Sequence, residues 1–275
     1  MQTSNPFDLS DRVIIVTGGA GLLGRQHAEA IASAGGLPVL LDVNRDRAEA
    51  AAAEIGKRHG RQIPAFACDI TAPSEIEAVC ASLQRRYGRI DGLVNNAANN
   101  PKVEDGGGIE FSRLENFPMD VWLNDIAVGL TGAFICSRVF GAAMAARRSG
   151  VILNIASDLS VIAPDQRLYQ QASRPKEQQP VKPVTYSVVK AGLVGLTRYL
   201  ATYWADQGIR CNALSPGGIF NGQPDEFVQR LTGLIPMGRM ASSDEYNGAV
   251  TFLLSDASRY MTGQNIIIDG GRTVW

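Results

Sequence analysis

Tyr186 and Lys190 stand four positions apart in the run Tyr186-Ser187-Val188-Val189-Lys190. On a helix that spacing puts both side chains on one face. A free tyrosine titrates near 10, so about one in a thousand is ionised at pH 7, and bringing that to half needs ~3 units, or ~4 kcal/mol. An adjacent ammonium supplies stabilisation of that sign and order. Tyr186 could then accept a proton from an alcohol or return one to a carbonyl. The Y-x-x-x-K pattern also arises by chance, and Tyr199 and Tyr203 lie in the same helical pattern without an obvious role.

A second group of residues could hold an anion. The β-branched run 12–17 leads directly into Thr17-Gly18-Gly19-Ala20-Gly21-Leu22-Leu23-Gly24 and then an amphipathic helical pattern. Glycines there let the backbone turn tightly against a pyrophosphate, and the positive end of the helix favours the charge. Asp42 closes the next apolar run, 18 positions beyond Gly24, close to the spacing at which a carboxylate meets the adenosine ribose. A carboxylate accepts from the ribose hydroxyls and repels a 2′-phosphate. Arg45 and Arg47 follow and could bind that phosphate, but the turn itself holds no basic residue, so NAD is favoured over NADP. The competing reading makes Asp42 a cap for the helix that begins near Arg45.

These groups need a framework, and the chain supplies one. Apolar runs at 12–17, 38–43, 64–69, 90–95, 151–156, 209–214 and 265–269 are near-continuous rather than alternating, as expected for strands buried on both faces of a parallel sheet. Helical patterns lie between them, at about 22–34, 45–59, 74–87, 119–148, 185–207 and 244–254. The alternation predicts an α/β fold: one doubly wound parallel sheet of the Rossmann type, about seven strands, helices on both faces. No linker, repeat or low-complexity tract divides it. The expected organisation is an N-terminal extension over 1–10 and a single dinucleotide-binding domain over 11–275. Two stretches break the rhythm: 99–118, with Gly106-Gly107-Gly108, and 159–184, with Pro164, Pro175, Pro180, Pro183 and the basic residues Arg167, Arg174, Lys176 and Lys182. Both follow strands, so both are expected to be loops bordering a substrate pocket.

Composition narrows the function classes. Of 275 residues 45% are hydrophobic and 19% charged, and 26 basic residues nearly balance 27 acidic ones. That balance, with a pI near 6.2, argues against a nucleic-acid binder. Cys68, Cys80, Cys136 and Cys211 are scattered without metal-ligand spacing, and the two histidines, His27 and His59, fall in unrelated helical patterns, so no metal site is expected. No signal peptide and no uninterrupted apolar run of membrane length is evident. The expectation is a cytoplasmic enzyme acting on a small molecule, with no membrane partner.

The ordered set of motifs resembles the short-chain dehydrogenases/reductases over nearly the whole chain, Val13 to Gly271. Its marks are the TGGAGLLG turn, Asp69 in ACDI, Asn95-Asn96-Ala97-Ala98, Ser157 in NIAS, the Tyr186–Lys190 run, Pro216-Gly217 and the closing YMTGQNIIIDGG. The resemblance implies Ser157, Tyr186 and Lys190 as catalytic residues, with Ser157 polarising the substrate oxygen and Lys190 holding the nicotinamide ribose. The positive charge of an oxidised nicotinamide would add to that of Lys190 in lowering the Tyr186 phenol. Cofactor contacts are implied for Gly18, Gly21, Leu22, Leu23, Gly24 and Asp42, and for Asp69 with its neighbours Cys68 and Ile70 at the adenine. Asn95, Asn96 and Ala97 would border the adenosine, and the backbone of Pro216, Gly217 and Ile219 would touch the carboxamide. It also implies homotetramers or homodimers built from the long helices over 119–148 and 185–207 and from the C-terminal segment, with Trp275 packing on a neighbour.

Three positions and one spacing depart from the family pattern. Leu22 stands where a glycine is usual, and Asn221 replaces a threonine after Pro216-Gly217, so its amide would take over the polar contact. Gly129 occupies the place of the asparagine that helps relay protons, where a water could fill the space left. Ser157 and Tyr186 are 29 positions apart, farther than in most members; the excess is the Pro-rich basic loop, which suits an anionic substrate or is a solvated surface. The reading is an NAD-dependent oxidoreductase of a secondary alcohol or ketone on a sugar, polyol or hydroxy acid. YSVVK, SDLSVIAPDQRLY and SPGGIFNGQ resemble a bacterial subgroup linked to surface-sugar and flagellin-glycan synthesis. The alternative, motivated by Gly129, is a catalytically weak NAD-sensing protein.

Overall fold

Each of the seven apolar runs forms a strand, and all seven join one sheet. The computed structural model describes residues 5–99 and 112–275. The strands are β1 (Val13–Thr17), β2 (Leu37–Asp42), β3 (Ala65–Ala67), β4 (Gly92–Asn95), β5 (Gly150–Ile155), β6 (Ile209–Pro216) and β7 (Asn265–Ile268). Every pairing is parallel, in the order β3-β2-β1-β4-β5-β6-β7. Chain direction across the sheet therefore reverses between β1 and β4, opening a crevice at their carboxyl ends.

The helices are α1 (Leu22–Ser33), α2 (Arg45–His59), α3 (Pro73–Tyr87), α4 (Met119–Ile126), α5 (Gly132–Ala146), α6 (Val184–Tyr203), α7 (Asp225–Thr232) and α8 (Asn247–Leu254). Alternate strand residues feed two cores. Val13 and Ile15 pack with Phe140, Met144 and Leu200 from α5 and α6, while Ile14 and Val16 pack with Ile31 of α1 and Leu253 of α8. Leu9, within the expected N-terminal extension, is fully buried in the second core.

Three expectations are corrected. The pattern over 119–148 is not one uniform helix: a π-helical turn, Ala127–Thr131, separates α4 from α5. Such turns often mark functional sites. The span Met119–Ala146, with hydropathy 1.6, is apolar enough on average to cross a membrane, a property its interspersed polar residues conceal. In the fold Ile135, Cys136, Phe140 and Met144 of this span pack against the sheet. Finally, segment 159–184 is not structureless. It holds single 3-10 turns at Gln166–Tyr169 and Lys176–Gln178, and Gln179 bridges Gln171 and Arg174. The glycine run 106–108 lies outside the described residues.

His27 on α1 is fully buried, and neither ring nitrogen has a hydrogen-bond partner among the described residues. Burial takes its pKa down to about 4. The unfolded chain then binds the extra proton first, so this contribution to stability is complete above about pH 6.5 and is lost as pH falls toward 4. The depression corresponds to about 3 kcal/mol. Thermal melts should show Tm falling through this window, with His27→Leu flattening the slope; an unchanged slope refutes the assignment.

Candidate active site

The crevice is built from strand ends. Thr17 closes β1, and its hydroxyl accepts from the backbone N–H groups of Asn96 and Ala97 just past β4. The Asn96 amide donates to the carbonyls of Thr17 and Gly18. These bonds fasten the glycine turn to the neighbouring strand. Gly18 has φ +61, and a Cβ there would lie 3.0 Å from the Ala97 Cα. At Gly24 a Cβ would fall 2.1 Å from the Gly18 carbonyl oxygen. The helix that follows has no side-chain cap and no acidic residue in its first turn. Its free amides and positive end suit a pyrophosphate. Leu22 is the first residue of α1 and points half outward, 43% exposed, so the turn accommodates it.

The crowding at Gly24 carries a prediction. Gly24→Ala forces the turn apart, and its overpacking cost of about 3 kcal/mol translates to roughly 100-fold weaker dinucleotide binding. A fluorescence titration with NADH measures this; binding within threefold of wild type contradicts the cradle.

Asp42 ends β2 with one oxygen accepting from Ala20 N–H and the other from Asn44 N–H. The cap of α2 is Asn44, whose side chain accepts from Arg47 N–H. Arg47 donates to the Ala20 carbonyl, while Arg45 pairs with Glu49. Other expected contacts have local employment. Asp69 is exposed and accepts from the Thr71 N–H and hydroxyl. Ile70 is buried where a Cβ on Gly132 would strike it. Asn95 turns into the core, donating to Ser137 and Asn154, so its side chain does not border the crevice. Pro216 ends β6, Gly217 N–H donates to Ile268, and Ile219 bridges to Ala241. Asn221 is exposed, and its backbone N–H donates to the Gln223 side chain.

Across the crevice, Ser157, Tyr186 and Lys190 come together. Ser157, 4% exposed, follows β5, and its hydroxyl lies near enough to Tyr186 to act on the phenol. It also accepts from Leu159 N–H as a turn cap. Tyr186 occupies the first turn of α6. One turn on, Lys190 donates to the Ile155 carbonyl at 2.8 Å, tying the lysine to the strand end that carries the serine. Its Nζ lies 5.8 Å from the Tyr186 ring centre.

Sequence reasoning missed the nearer cation. Lys182 places its Nζ 3.9 Å from the same ring centre. Of the four loop basics it alone lines the cavity beside Tyr186; Arg167 pairs with Asp165 and Arg174 with Gln171. That cavity encloses about 10 Å³ among Gly129, Asp125, Tyr186, Lys182 and Lys190, close to the smallest space that admits one water. A Cβ at Gly129 would sit 2.5 Å from Val189 Cγ1, so Val189 fills part of the room left by the absent asparagine.

Electrostatics correct a further expectation. Burial pushes the Tyr186 phenol up; the nearby Ser157 hydroxyl opposes this and the Asp158 charge adds to it. Burial is thus the largest influence on the phenol in the protein alone. Burial also takes Lys190 down to about 8, with Lys182 contributing, and Lys182 down to about 8, with Asp158 opposing. Asp158, which accepts from the Ser157 hydroxyl, and Arg272, which donates to Asp158, were not among the expected site residues. Asp158 adjoins Ser157 in sequence, which is a signal; Arg272 is remote and gives none.

A doubly wound sheet with a glycine cradle at its switch point and a Ser–Tyr–Lys cluster opposite defines a nicotinamide-dependent oxidoreductase of the alcohol–carbonyl type. The family model described as "Enoyl-(Acyl carrier protein) reductase" matches residues 19–273. The chain belongs to the short-chain dehydrogenase/reductase family. It is 33% identical over 276 residues to an NAD-dependent glycerol dehydrogenase of Listeria innocua, covering 98% of this chain and 96% of that one. It is 27% identical to post-translational flagellin modification protein A of Campylobacter coli, covering 96% and 98%. A solved gluconate 5-dehydrogenase of Burkholderia cenocepacia, in complex with NADP and tartrate, superposes with a TM-score of 0.85 at 28% identity, covering 98% of each chain.

Proposed function

We propose that this enzyme transfers a hydride between NAD and a secondary alcohol or ketone on a polyol or sugar, with Tyr186 as acid/base, Ser157 holding the substrate oxygen and Lys190 orienting the ribose and Tyr186. The convergence of Ser157, Tyr186 and Lys190 opposite the glycine turn carries this reading. When bound, the nicotinamide supplies the hydride chemistry. The chain's own residues do the rest: the α1 amides hold the pyrophosphate, Ser157 fixes the reacting oxygen and Tyr186 moves its proton. Asp42 supports NAD over NADP through charge, against relatives of both kinds.

The substrate class follows the relatives that act on glycerol and gluconate. Lys182 favours substrates with a carboxylate near the reacting carbon. The test is a panel of neutral polyols, matching aldonates and sugar nucleotides with NAD and NADP, read by reduced-nicotinamide absorbance. Turnover of polyols or sugar acids with NAD is expected; no turnover of any alcohol overturns the reading. Self-association is proposed as well, because Leu123, Phe134, Tyr199 and Tyr203 leave apolar surface on α4, α5 and α6. Light scattering should give a dimer or tetramer.

A further inference from the structure

Behind Ser157 lies a pair of charges that the acid–base reading leaves unused. The Ser157 hydroxyl donates to Asp158 Oδ1 at 2.7 Å, and Leu159 N–H donates to the same oxygen. The other oxygen, Oδ2, accepts from Arg272 Nη1 at 2.6 Å. The two side chains are 4% and 8% exposed. Arg272 arrives from the far end of the chain, 114 positions away. Its loop is held in place by Asp269, which accepts from Gly271 and Thr273 N–H. Burying such a pair is not by itself stabilising, so its position directly behind a reactive serine calls for another account.

The hydrogen bonds have a direction. The line runs from the Ser157 hydroxyl to Asp158 Oδ1, with Arg272 closing it on Oδ2. We propose that Asp158 and Arg272 are positioning residues: Asp158 fixes the Ser157 hydroxyl oxygen beside Tyr186 through its hydrogen bond, and Arg272 holds that carboxylate in place while offsetting its charge at Tyr186. This rests on Tyr186 being the acid/base. Other charged or titratable groups face the phenol too: Lys190 on α6, Lys182 before it, Asp125 from α4, and the Tyr169 hydroxyl from the loop. They are common to every variant below.

The sign of each charge gives opposite predictions. Alcohol oxidation needs the phenolate. Asp158→Asn removes an anion beside it and should move the midpoint of the kcat/KM–pH profile down by about one unit. Arg272→Met leaves that anion uncompensated and should move the midpoint up by about as much. Arg272→Lys should restore the wild-type midpoint, and Asp158→Asn/Arg272→Met, with both charges gone, should lie near it. A merely structural pair lowers Tm and amplitude without opposed shifts, so unshifted or same-sign midpoints overturn the proposal. Should Arg272→Met fail to fold, Asp158→Asn alone decides it by the direction of its shift. Tyr186→Phe separates the two readings: retained turnover removes the acid/base assignment, whereas an inactive Tyr186→Phe with unshifted Asp158→Asn removes only the positioning roles.

Discussion

Replacing Tyr186 with phenylalanine is expected to lower kcat for alcohol oxidation by about 10³-fold while leaving the dissociation constant for NAD within about threefold. The magnitude follows from what a positioned acid/base contributes, roughly 10²–10⁴-fold. Phenylalanine keeps the ring, so its packing beneath Lys182 and its place in the first turn of α6 survive. Only the hydroxyl beside Ser157 is lost. Steady-state kinetics beside a nucleotide titration separates chemistry from binding, and unchanged turnover discards Tyr186 as the acid/base. Because burial holds the phenol up in the protein alone, activity in the oxidative direction should rise with pH above neutrality. A flat profile from pH 7 to 10 contradicts a titrating tyrosine.

The second large effect belongs to Asp42. Asp42→Ala should lower kcat/KM with NAD by about 100-fold, since hydrogen bonds to a charged acceptor contribute about 1.5–3 kcal/mol each. It should also raise activity with NADP, because a carboxylate no longer faces the 2′-phosphate. Together the preference should move by about 10³-fold. Arg47 already reaches the Ala20 carbonyl at the same turn and becomes the cation nearest that phosphate, so adding Arg47→Ala should remove the gain. The structural side effect is bounded: Asp42 accepts one N–H from Ala20 and one from Asn44. A wild-type enzyme more efficient with NADP than with NAD sinks the assignment.

Much of the framework was legible because its signals are local. Continuous apolar runs marked all seven strands. The glycine turn between β1 and α1 was readable because strand, turn and helix are contiguous. Helix α7 escaped notice: Phe227, Val228 and Leu231 share one face, but eight residues make only two turns, and the helix is held by Leu231 packing with Leu168, 63 positions away. The basic loop misled for a related reason. Composition assigned one role to four cations, whereas two found neighbours within the loop and Lys182 alone turned toward Tyr186.

The sequence by itself determined the alternating strands and helices, the cradle of Gly18 and Gly24, and the shared face of Tyr186 and Lys190, since these depend on backbone period and on contacts a few residues apart. Only the tertiary structure decided that Asn95 faces the core, that burial raises the phenol of Tyr186, and that Arg272 reaches Asp158 behind Ser157. Those outcomes depend on which distant segments the parallel sheet brings together and on how much water their packing excludes, neither of which is encoded in local spacing.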